Sequence, residues 1–450
     1  MVLVRHGETN FNVSGIIQGR GNSDRPDLQS TLTEQGRQQA QLTGATLSGL
    51  SIDAAYSSPL VRAKHTAKAI LTANSATTSN VLDLQTHKGL YEIDLSEWEG
   101  MKIEQVGVDF PEERKAWKET PDHFLLGDRY PVLDLFAQAK AFWQEILQRH
   151  QGQTILVVGH SGINRCLVCT ALGIAPAYYH RLQQSNCGIS VLNFAGTSFG
   201  DSSVQLESLN LTSHLESLTG SPIPSVRQNH LGPRLLLVRH GETEWNRQKR
   251  FQGQIDVPLN PTGEVQAATA AEFLRHIPIQ IAFSSPMLRP KQTAIAILAA
   301  HDNTPLELLD DLKEISHGLW EGKLESEIEA EFPGELQKWQ KTPEVVQMPD
   351  GENLDRVWQR VAVAWQEIIR STPPDQTILV VAHDAVNKAL LCQLFDLSPA
   401  SFWAFKQGNG GVCVIDYQRG FDRPPLLQAM NITTHLSGGS ILDTTAAGAL

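Results

Sequence analysis

The chain has 450 residues, of which 41% are hydrophobic and 19% are charged, and its formal net charge is -12. This composition is typical of globular proteins and excludes a disordered or fibrous chain. The length predicts two domains of roughly 200 residues each. The negative charge argues against a nucleic-acid partner, because affinity for that backbone comes largely from Lys and Arg. No apolar run approaches the roughly 20 residues of a spanning helix, so no membrane partner is expected.

The few cysteines favour a reducing compartment. Five cysteines, an odd number, do not predict the disulfide framework of a secreted protein. Cys166 and Cys169 have CxxC spacing, but they lie in a predicted helix without a second pair nearby, so packing is favoured over a zinc site. Residues 2–4 already have the pattern of a first strand, which leaves no room for a cleavable signal. We therefore expect a cytoplasmic protein.

Five short blocks occur twice in the same order, which indicates a tandem duplication. In chain order, the first copy carries Arg-His-Gly-Glu-Thr at 5–9, Ser-Ser-Pro at 57–59, Glu92 before Trp-Glu-Gly at 98–100, Gly-His at 159–160 and Asn-Cys-Gly at 186–188. The corresponding positions of the second copy are 239–243, 284–286, 314 with 320–322, 382–383 and 409–411. The pattern predicts domains at 1–215 and 234–436, a Gly- and Pro-containing linker at 216–233, and a flexible tail at 437–450.

Short apolar strands alternate with longer helical patterns in each copy, which predicts an α/β fold with a largely parallel sheet. Thr33 and Thr262 are expected to cap the helices that follow them. Ser-Pro pairs at 58–59 and 285–286 indicate two further helix starts, with Arg62 and Arg289 about one turn into each helix. Because ligands bind beyond the carboxyl ends of strands in such sheets, the blocks should meet in one crevice per copy.

Two histidines, two arginines and one glutamate in each copy form a set that suits phosphoryl transfer. Arginine supplies planar bidentate donors for phosphate oxygens. One neutral histidine can attack phosphorus while the other stabilises the charge of the transferred group. The glutamate can protonate the leaving oxygen and later accept a proton from water. This chemistry requires no metal or other cofactor.

Each of these residues alone is more often a packing or surface group, but repetition of the whole set favours function. A zinc site is disfavoured because His6 and His160 lack a third-ligand pattern. Trp98 and Trp320 are interpreted as core residues.

These motifs closely resemble those of the histidine phosphatase superfamily, which includes cofactor-dependent phosphoglycerate mutases, over nearly the whole of both copies. The resemblance implies two tandem three-layer α/β/α domains of phosphoglycerate mutase-like fold, each around a mixed sheet. It implies that the nucleophiles are His6 and His240. The other implied catalytic residues are Glu92, His160, Glu314 and His383. The implied phosphate-binding residues are Arg5, Asn12, Arg62, Arg239, Asn246 and Arg289.

The spacing between the acid and the second histidine favours hydrolysis over isomerisation. Mutases of this family are similar to one another in a long insertion there, which encloses the substrate. Glu92 and His160 are 68 positions apart, Glu314 and His383 are 69 apart, and neither copy has the insertion. We therefore predict a phosphatase. A mutase, or a chain in which one copy is a silent regulatory module, remains the alternative.

The two copies differ around the expected pocket. The second histidine is followed by Ser161 in the first copy and by Asp384 in the second. Asp384 would either repel the substrate or cap the next helix and face away, and the second interpretation is favoured. The first copy also has about five extra residues between 19 and 33, including Asp24 and Arg25, that would reshape its entrance. Near the pocket, Gly-Glu-Asn at 351–353 resembles the family's Gly-Glu-Ser segment, whereas the first copy has Gly-Asp-Arg at 127–129.

The tandem organisation and the segments 182–188 and 381–387 are similar to the plant-type 2-carboxyarabinitol 1-phosphatase group of this family. The resemblance implies a small phosphorylated metabolite as the substrate, either a sugar phosphate or a sugar-acid phosphate. Serine phosphate and a cofactor precursor stay open as substrates, and the oligomeric state does not follow from the sequence.

Overall fold

A computed structural model describes residues 1–20, 28–75, 82–200, 204–226 and 229–445. The chain divides into two compact units, Met1–Ser225 and Val226–Leu450. The division falls within the segment 216–233 that the sequence suggests as a linker. A short helix occupies the start of that segment, at Glu216–Thr219, and the first strand of the second unit begins at Arg234.

A mixed sheet forms the centre of the first unit. Its strands are β1 (Val2–Arg5), β2 (Ala54–Ser57), β3 (Leu84–Thr86), β4 (Ile155–Gly159), β5 (Ile189–Phe194) and β6 (Val204–Leu211). The order across the sheet is β3-β2-β4-β1-β5-β6, with β5 antiparallel to both neighbours and the other pairs parallel. Every residue of β4 is buried because helices cover both faces, which gives the three-layer α/β/α architecture.

The helices of the first unit are α1 (Asn10–Ser14), α2 (Glu34–Thr46), α3 (Val61–Ser75), α4 (Ile103–Asp109), α5 (Pro111–Glu119), α6 (Pro131–Arg149), α7 (Ser161–Leu172) and α8 (Glu216–Thr219). Short 3₁₀ helices lie at Leu47–Gly49, Lys88–Leu90, Pro176–Arg181 and Ser213–Leu215. Helix α2 begins at its predicted cap, because the Thr33 hydroxyl accepts a hydrogen bond from the N–H of Gly36. Helix α3 begins at Val61, after the Ser-Pro pair, so Arg62 is its second residue and the predicted position about one turn into the helix is wrong. Arg289 is likewise the second residue of the corresponding helix Leu288–Leu298.

The second unit repeats this architecture. Its strands are β7 (Arg234–Arg239), β8 (Ile281–Ser284), β9 (Leu306–Leu308), β10 (Thr377–Ala382), β11 (Val412–Asp416) and β12 (Leu426–Ile432). They follow the order β9-β8-β10-β7-β11-β12, with β11 antiparallel to β7 and β12. The topology of the first unit is therefore preserved. β7, which precedes His240, again pairs with β10, which precedes His383.

The helices of the second unit are α9 (Glu244–Gln248), α10 (Pro261–Leu274), α11 (Leu288–Leu298), α12 (Glu325–Glu331), α13 (Glu335–Lys341), α14 (Leu354–Ser371) and α15 (Asp384–Gln393). Its 3₁₀ turns lie at Asp310–Leu312, Gly318–Trp320, Pro343–Val345 and Pro399–Ala404. The cap predicted at Thr262 is wrong. Helix α10 is capped by Asn260, whose side chain accepts from the N–H of Gly263, and Pro261 occupies the first helical position.

The packed part of the second unit extends past residue 436, where a flexible tail was expected to begin. Ile441 is buried, and the Asp443 carboxylate accepts a hydrogen bond from the Asn431 side chain at 3.3 Å. The Thr445 hydroxyl accepts from the backbone N–H of Asn409 at 3.1 Å. Residues 437–445 therefore pack on the unit, because their few polar side chains bond to its final strand and to the loop before β11.

The core contains the residues that the sequence assigned to packing. Trp98 and Trp320 are buried, and Cys166 and Cys169 are buried thiols within α7. Burial raises the pKa of the Cys169 thiol to about 12. Across the described ranges, no helix combines the length and apolar character needed to cross a bilayer.

Candidate active site

His6 and His240 each follow the first strand of their unit and are almost fully buried. The Nδ1 atom of His6 lies 2.8 Å from the carbonyl oxygen of Gly7, and that of His240 lies 2.7 Å from the carbonyl oxygen of Gly241. A carbonyl oxygen can only accept, so Nδ1 carries the proton in both rings. The Nε2 atom therefore keeps its lone pair, which is the form that a nucleophile needs.

The second histidine of each unit lies beside the first. His160 follows β4, which pairs with β1, and the N–H of His6 donates to the carbonyl oxygen of Gly159 at 3.0 Å. The ring centroids of His6 and His160 are 5.1 Å apart, and those of His240 and His383 are 5.2 Å apart. Adjacent parallel strands thus place both rings at one edge of the sheet.

All four imidazoles are held neutral. Burial, and then the positive charges of Arg62 and Arg5, lower the pKa of His6 well below its ordinary value. The pKa of His240 is lowered well below its ordinary value in the same way, by burial first and then by Arg289. Burial also lowers the pKa of both second histidines well below the ordinary value. Neutral rings at physiological pH are consistent with attack through a lone pair.

In each unit, one arginine on the helix that follows the second strand of the chain contacts the histidine pair. Arg62 donates through Nη2 to the carbonyl oxygen of Gly19 at 2.9 Å and through Nε to Nδ1 of His160 at 3.2 Å. Arg289 donates through Nη2 to Gly253 at 2.8 Å and through Nε to Nε2 of His240 at 3.2 Å. Burial lowers the pKa of both guanidinium groups to about 10, so each still carries its charge at neutral pH.

His160 contributes a buried hydrogen-bond donor that is suited to binding an anion. Because Nδ1 of this ring accepts from Arg62, its proton is on Nε2. That Nε2 atom is fully buried and has no hydrogen-bond partner among the described residues. Buried donors are rarely left unpaired, so the position suits an oxygen of a bound phosphoryl group.

The other two arginines end the first strands. Arg5 donates to the backbone carbonyl of Gln184 at 2.8 Å, and Arg239 donates to that of Gln407 at 2.6 Å. The loop before the antiparallel strand therefore orients each guanidinium next to its histidine. Two arginines and two histidines thus lie together in each unit, and this arrangement matches the needs of a dianionic ligand.

Glu92 and Glu314 bind the start of the helix that follows the second histidine. Glu92 accepts from the N–H groups of Gly162 and Ile163 at 3.1 and 3.2 Å. A Cβ at position 162 would lie only 2.3 Å from Glu92 Oε1, so glycine allows Glu92 to accept from both N–H groups in this position. Glu314 accepts from the N–H of Ala385 at 3.2 Å. Burial, and then the nearby Asp384, raise the pKa of Glu314, which favours the protonated form.

Asn12 and Asn246 act at the start of α1 and α9. The Asn12 Oδ1 atom accepts from the backbone N–H of Thr9 at 3.1 Å, which completes a capping box. Asn186 donates to Asn12 at 3.3 Å and to the carbonyl oxygen of His6 at 2.9 Å. Asn409 has the matching contacts in the second unit. Asn186 and Asn409 were not assigned a role from the sequence, although their recurrence in both copies was the available signal.

The remaining residues of the repeated motif position the loop. Glu8 accepts from the hydroxyl of Thr33 at 2.8 Å, and Glu242 accepts from the side chain of Asn260 at 2.8 Å. A Cβ on Gly7 would lie 2.4 Å from the carbonyl oxygen of Gly36. The motif's glutamate therefore connects the loop to the start of the next helix.

Residues 1–205 and 235–431 match the family model described as the histidine phosphatase superfamily (branch 1). The chain belongs to this superfamily. It is 30% identical to the 2-carboxy-D-arabinitol-1-phosphatase of Triticum aestivum over 98% of this chain and 87% of that protein. A probable 2-carboxy-D-arabinitol-1-phosphatase of Arabidopsis thaliana is 28% identical, over 98% of this chain and 89% of that protein. Phosphoserine phosphatase 1 of Hydrogenobacter thermophilus is 34% identical over 45% of this chain and 94% of its own length.

The side chain of Asp384 has a different orientation in this tandem histidine phosphatase from the one predicted. It is the first residue of α15, the cap position is held by His383, and the carboxylate is buried. Asp384 lies 3.5 Å from Nη1 of Arg239 and 2.7 Å from Nζ of Lys388. The expectation that it faces away from the site is therefore wrong. A buried carboxylate is retained here because two buried cations surround it.

The segments before α6 and α14 form different ion pairs in the two histidine phosphatase units. Arg129 pairs with Asp94 at 2.8 Å and with Glu97 at 2.9 Å. In the second unit, Glu352 pairs with Arg360 at 2.9 Å. Asp24 and Arg25, expected to reshape the entrance of the first unit, lie outside the described residues. The described part of the chain contains no group of three or more His, Cys, Asp or Glu side chains arranged to hold a metal ion.

Proposed function

We propose that this protein hydrolyses phosphomonoesters of small metabolites through a phosphohistidine intermediate, without a metal ion. The observation that carries the proposal is the pairing of an Nε2 lone pair on His6 with the buried, unpartnered Nε2–H of His160 beside Arg62. One group attacks phosphorus and the others bind its oxygens. Membership in the superfamily and the phosphatase relatives support the same reaction class.

In the first step, Nε2 of His6 attacks the phosphorus atom. A phosphorus–nitrogen bond forms while the bond from phosphorus to the ester oxygen breaks. Arg5 and Arg62 bind the equatorial oxygens, and His160 donates a hydrogen bond to one of them, so the negative charge is stabilised as it spreads. The Nδ1–H bond to the Gly7 carbonyl orients the ring and stabilises the positive charge that it gains.

Glu92 supplies the proton that the leaving oxygen takes up, and an alcohol departs. Water then attacks the phosphohistidine, and the carboxylate of Glu92 accepts a proton from it. Inorganic phosphate is released, and His6 and Glu92 return to their starting forms. We propose the same roles for His240, Glu314 and His383, with Arg239 and Arg289, in the second unit. There, Nε2 of His240 accepts from Arg289 and Nε2 of His383 lies 2.9 Å from the Ser285 hydroxyl, so a bound phosphoryl group must replace these contacts.

We place the substrate among phosphorylated sugars and sugar acids, including 2-carboxyarabinitol 1-phosphate. Two relatives similar over 98% of this chain are named for that activity, which supports a sugar-acid phosphate. The absence of the mutase-type insertion between Glu92 and His160 supports water as the acceptor. The predicted domain ranges 1–215 and 234–436 each contain one complete set of the proposed site residues, and residues 437–445 pack on the second of them.

The test is phosphate release by the full chain carrying His6→Ala, His240→Ala or both. Each single change should reduce release from p-nitrophenyl phosphate, and the double change should abolish it. His276→Ala removes an exposed histidine and serves as the matched control. Rapidly quenched wild-type protein should hold phosphate in a bond that is stable to base and labile to acid. Full activity of the double variant would contradict the proposal.

A further inference from the structure

An arginine and a glutamine have exchanged positions between the two sites. In the first unit, Arg20 donates through Nε to the backbone carbonyl of Glu92 at 2.9 Å and through Nη2 to Gln138 at 3.0 Å. In the second unit, Gln254 donates to the backbone carbonyl of Glu314 at 3.0 Å, and the helix behind it carries Arg360. The arginine is thus on the pocket loop in one unit and on a helix in the other.

Arg360 has no donor left for a ligand. Its five N–H groups meet five acceptors: both carboxylate oxygens of Glu352, at 2.9 and 3.0 Å, and three backbone carbonyls. The carbonyls belong to Asp311, Lys313 and Glu314. The side chain is only 15% exposed. This arginine is a structural cross-link, and its charge is neutralised by Glu352.

Arg20 is in a different situation. Its side chain is 37% exposed and lines a cavity of about 420 Å³ that Arg62, Lys64 and Tyr91 also line. Its Nη1 atom is 3.9 Å from Asp94, at the limit of an ion pair. That carboxylate pairs much more closely, at 2.8 Å, with Arg129. Among the described residues, the Arg20 charge is therefore only weakly compensated.

The position of Arg20 relates it to the leaving group. It is bonded to the backbone of Glu92, the residue that protonates the leaving oxygen in the proposed mechanism. Arg20 also follows Gly19, whose carbonyl oxygen accepts a hydrogen bond from the proposed phosphate-binding residue Arg62. A group attached to the leaving oxygen would therefore meet the guanidinium. Carboxylates bind arginine through charge-assisted and often bidentate hydrogen bonds.

We propose that Arg20 makes the first unit selective for phosphate esters whose alcohol part carries a carboxylate, whereas the second unit, with Gln254, favours esters of uncharged alcohols. This inference rests on the proposed hydrolysis and adds the substrate class of each site. A single chain then acts on two classes of phosphate ester, the phosphorylated acids and the phosphorylated neutral polyols.

The test uses 3-phosphoglycerate and glycerol 3-phosphate, which differ by a carboxylate in place of a hydroxymethyl group. In full-length protein with His240→Ala, only the first unit turns over. The ratio of kcat/KM for 3-phosphoglycerate to that for glycerol 3-phosphate should exceed the ratio of the His6→Ala protein. Adding Arg20→Gln should lower the first-unit ratio by about 10–100-fold, because a charge-assisted hydrogen bond is lost.

Two further variants separate charge from structure. Arg20→Lys keeps the charge and should restore part of the ratio, which a purely structural role would not explain. Arg149→Gln removes an exposed arginine that pairs with Glu145 at the end of α6, and it should leave the ratio unchanged. An Arg20→Gln protein that unfolds at the wild-type temperature but keeps the wild-type ratio would overturn the inference.

Failure of the proposed hydrolysis gives a different result. If the His240→Ala protein releases no phosphate from either ester, the hydrolytic function of the first unit is wrong. Binding of 3-phosphoglycerate to the His6→Ala, His240→Ala double variant, measured by calorimetry, then tests Arg20 alone. Weaker binding on adding Arg20→Gln supports the inference, and unchanged binding overturns it.

Discussion

Replacing Asp384 with Ser and Lys388 with Arg gives the second unit the pair that the first unit carries at positions 161 and 165. Both residues must change together. Lys388 is buried and pairs with Asp384 at 2.7 Å, so Asp384→Ser alone would leave an unpaired ammonium inside the protein. Breaking a buried pair in this way costs about 3–5 kcal/mol of the free energy of unfolding. The double variant should reduce this cost, because in the first unit Arg165 beside Ser161 donates to the backbone carbonyl of Leu182 at 2.7 Å, and an arginine at 388 has the longer side chain needed for the equivalent bond.

The size of the effect follows from the 3.5 Å separation between Asp384 and Nη1 of Arg239. At an effective dielectric constant near 20, two unit charges about 4 Å apart attract by about 4 kcal/mol. A bound phosphate must share Arg239 with this carboxylate and is also repelled by it. Lys388 offsets part of the repulsion. We expect the double variant to gain about 1.4–2.8 kcal/mol in phosphate binding, which is about a 10–100-fold lower inhibition constant.

The assay measures competitive inhibition by inorganic phosphate in full-length protein with His6→Ala, so that only the second unit turns over. p-Nitrophenyl phosphate is the reporter substrate. Lys388→Arg alone is the matched control, because it keeps the carboxylate and should leave the inhibition constant near that of the parent. If a folded double variant binds phosphate no more tightly than this control, Asp384 does not compete for Arg239 and the reasoning is refuted.

Three further results are expected. In the same double variant, second-unit activity should begin to fall at a lower pH as the pH rises, because Glu314 must be protonated to act as the acid and removing the Asp384 carboxylate lowers its raised pKa. Profiles of kcat/KM against pH measure this shift, and coincident profiles would oppose it. Gly162→Ala should lower kcat of the His240→Ala protein by about 10-fold, because it moves the proposed acid Glu92 from two N–H bonds to the single bond that Glu314 makes with Ala385, whereas Gly107→Ala, which meets open space, should not lower it. Unfolding in urea should become easier as the pH falls below about 6.5, since the four active-site histidines stay neutral when folded and protonate when unfolded, at roughly 1.4 kcal/mol per histidine and pH unit. Equal stability at pH 7.5 and 5.5 would contradict that prediction.

The convergence of the site could be predicted because strand direction determines it. β1, β2 and β4 are parallel neighbours, so residues directly after them meet at one edge of the sheet. His6, Arg62 and His160 are within hydrogen-bonding or ring-contact distance for this reason. The repeated blocks gave the positions, and the rule for open α/β sheets gave their proximity. Asn186 was missed because, in the described part of the chain, it hydrogen-bonds to loop backbone and to another amide, which periodicity does not report.

The orientation of Asp384 could not be predicted from its place in the chain. A residue at the start of a helix can direct its carboxylate to the helix N–H groups or to a neighbouring cation, and sequence spacing does not distinguish the two. The deciding partner, Arg239, belongs to a strand far away in the sequence. Lys388, four residues later, was a usable local signal, because residues at i and i+4 share a helix face. Pro261 was a similar signal, since proline favours the first helical position and so moves the cap of α10 to Asn260.

The two differences between the sites change the local charge in the same direction. On the side of the leaving group, Arg20 is replaced by Gln254, and on the side of the phosphate, Ser161 is replaced by Asp384. Both replacements make the second unit less favourable to a multiply charged anion, while its proposed nucleophile, His240, keeps the same neutral tautomer as in the first unit. A site that had lost its function would not be expected to keep the bonds that fix this tautomer. The charge differences therefore favour divergence in substrate over loss of activity, and the ester with the smaller negative charge should be the better substrate of the second unit.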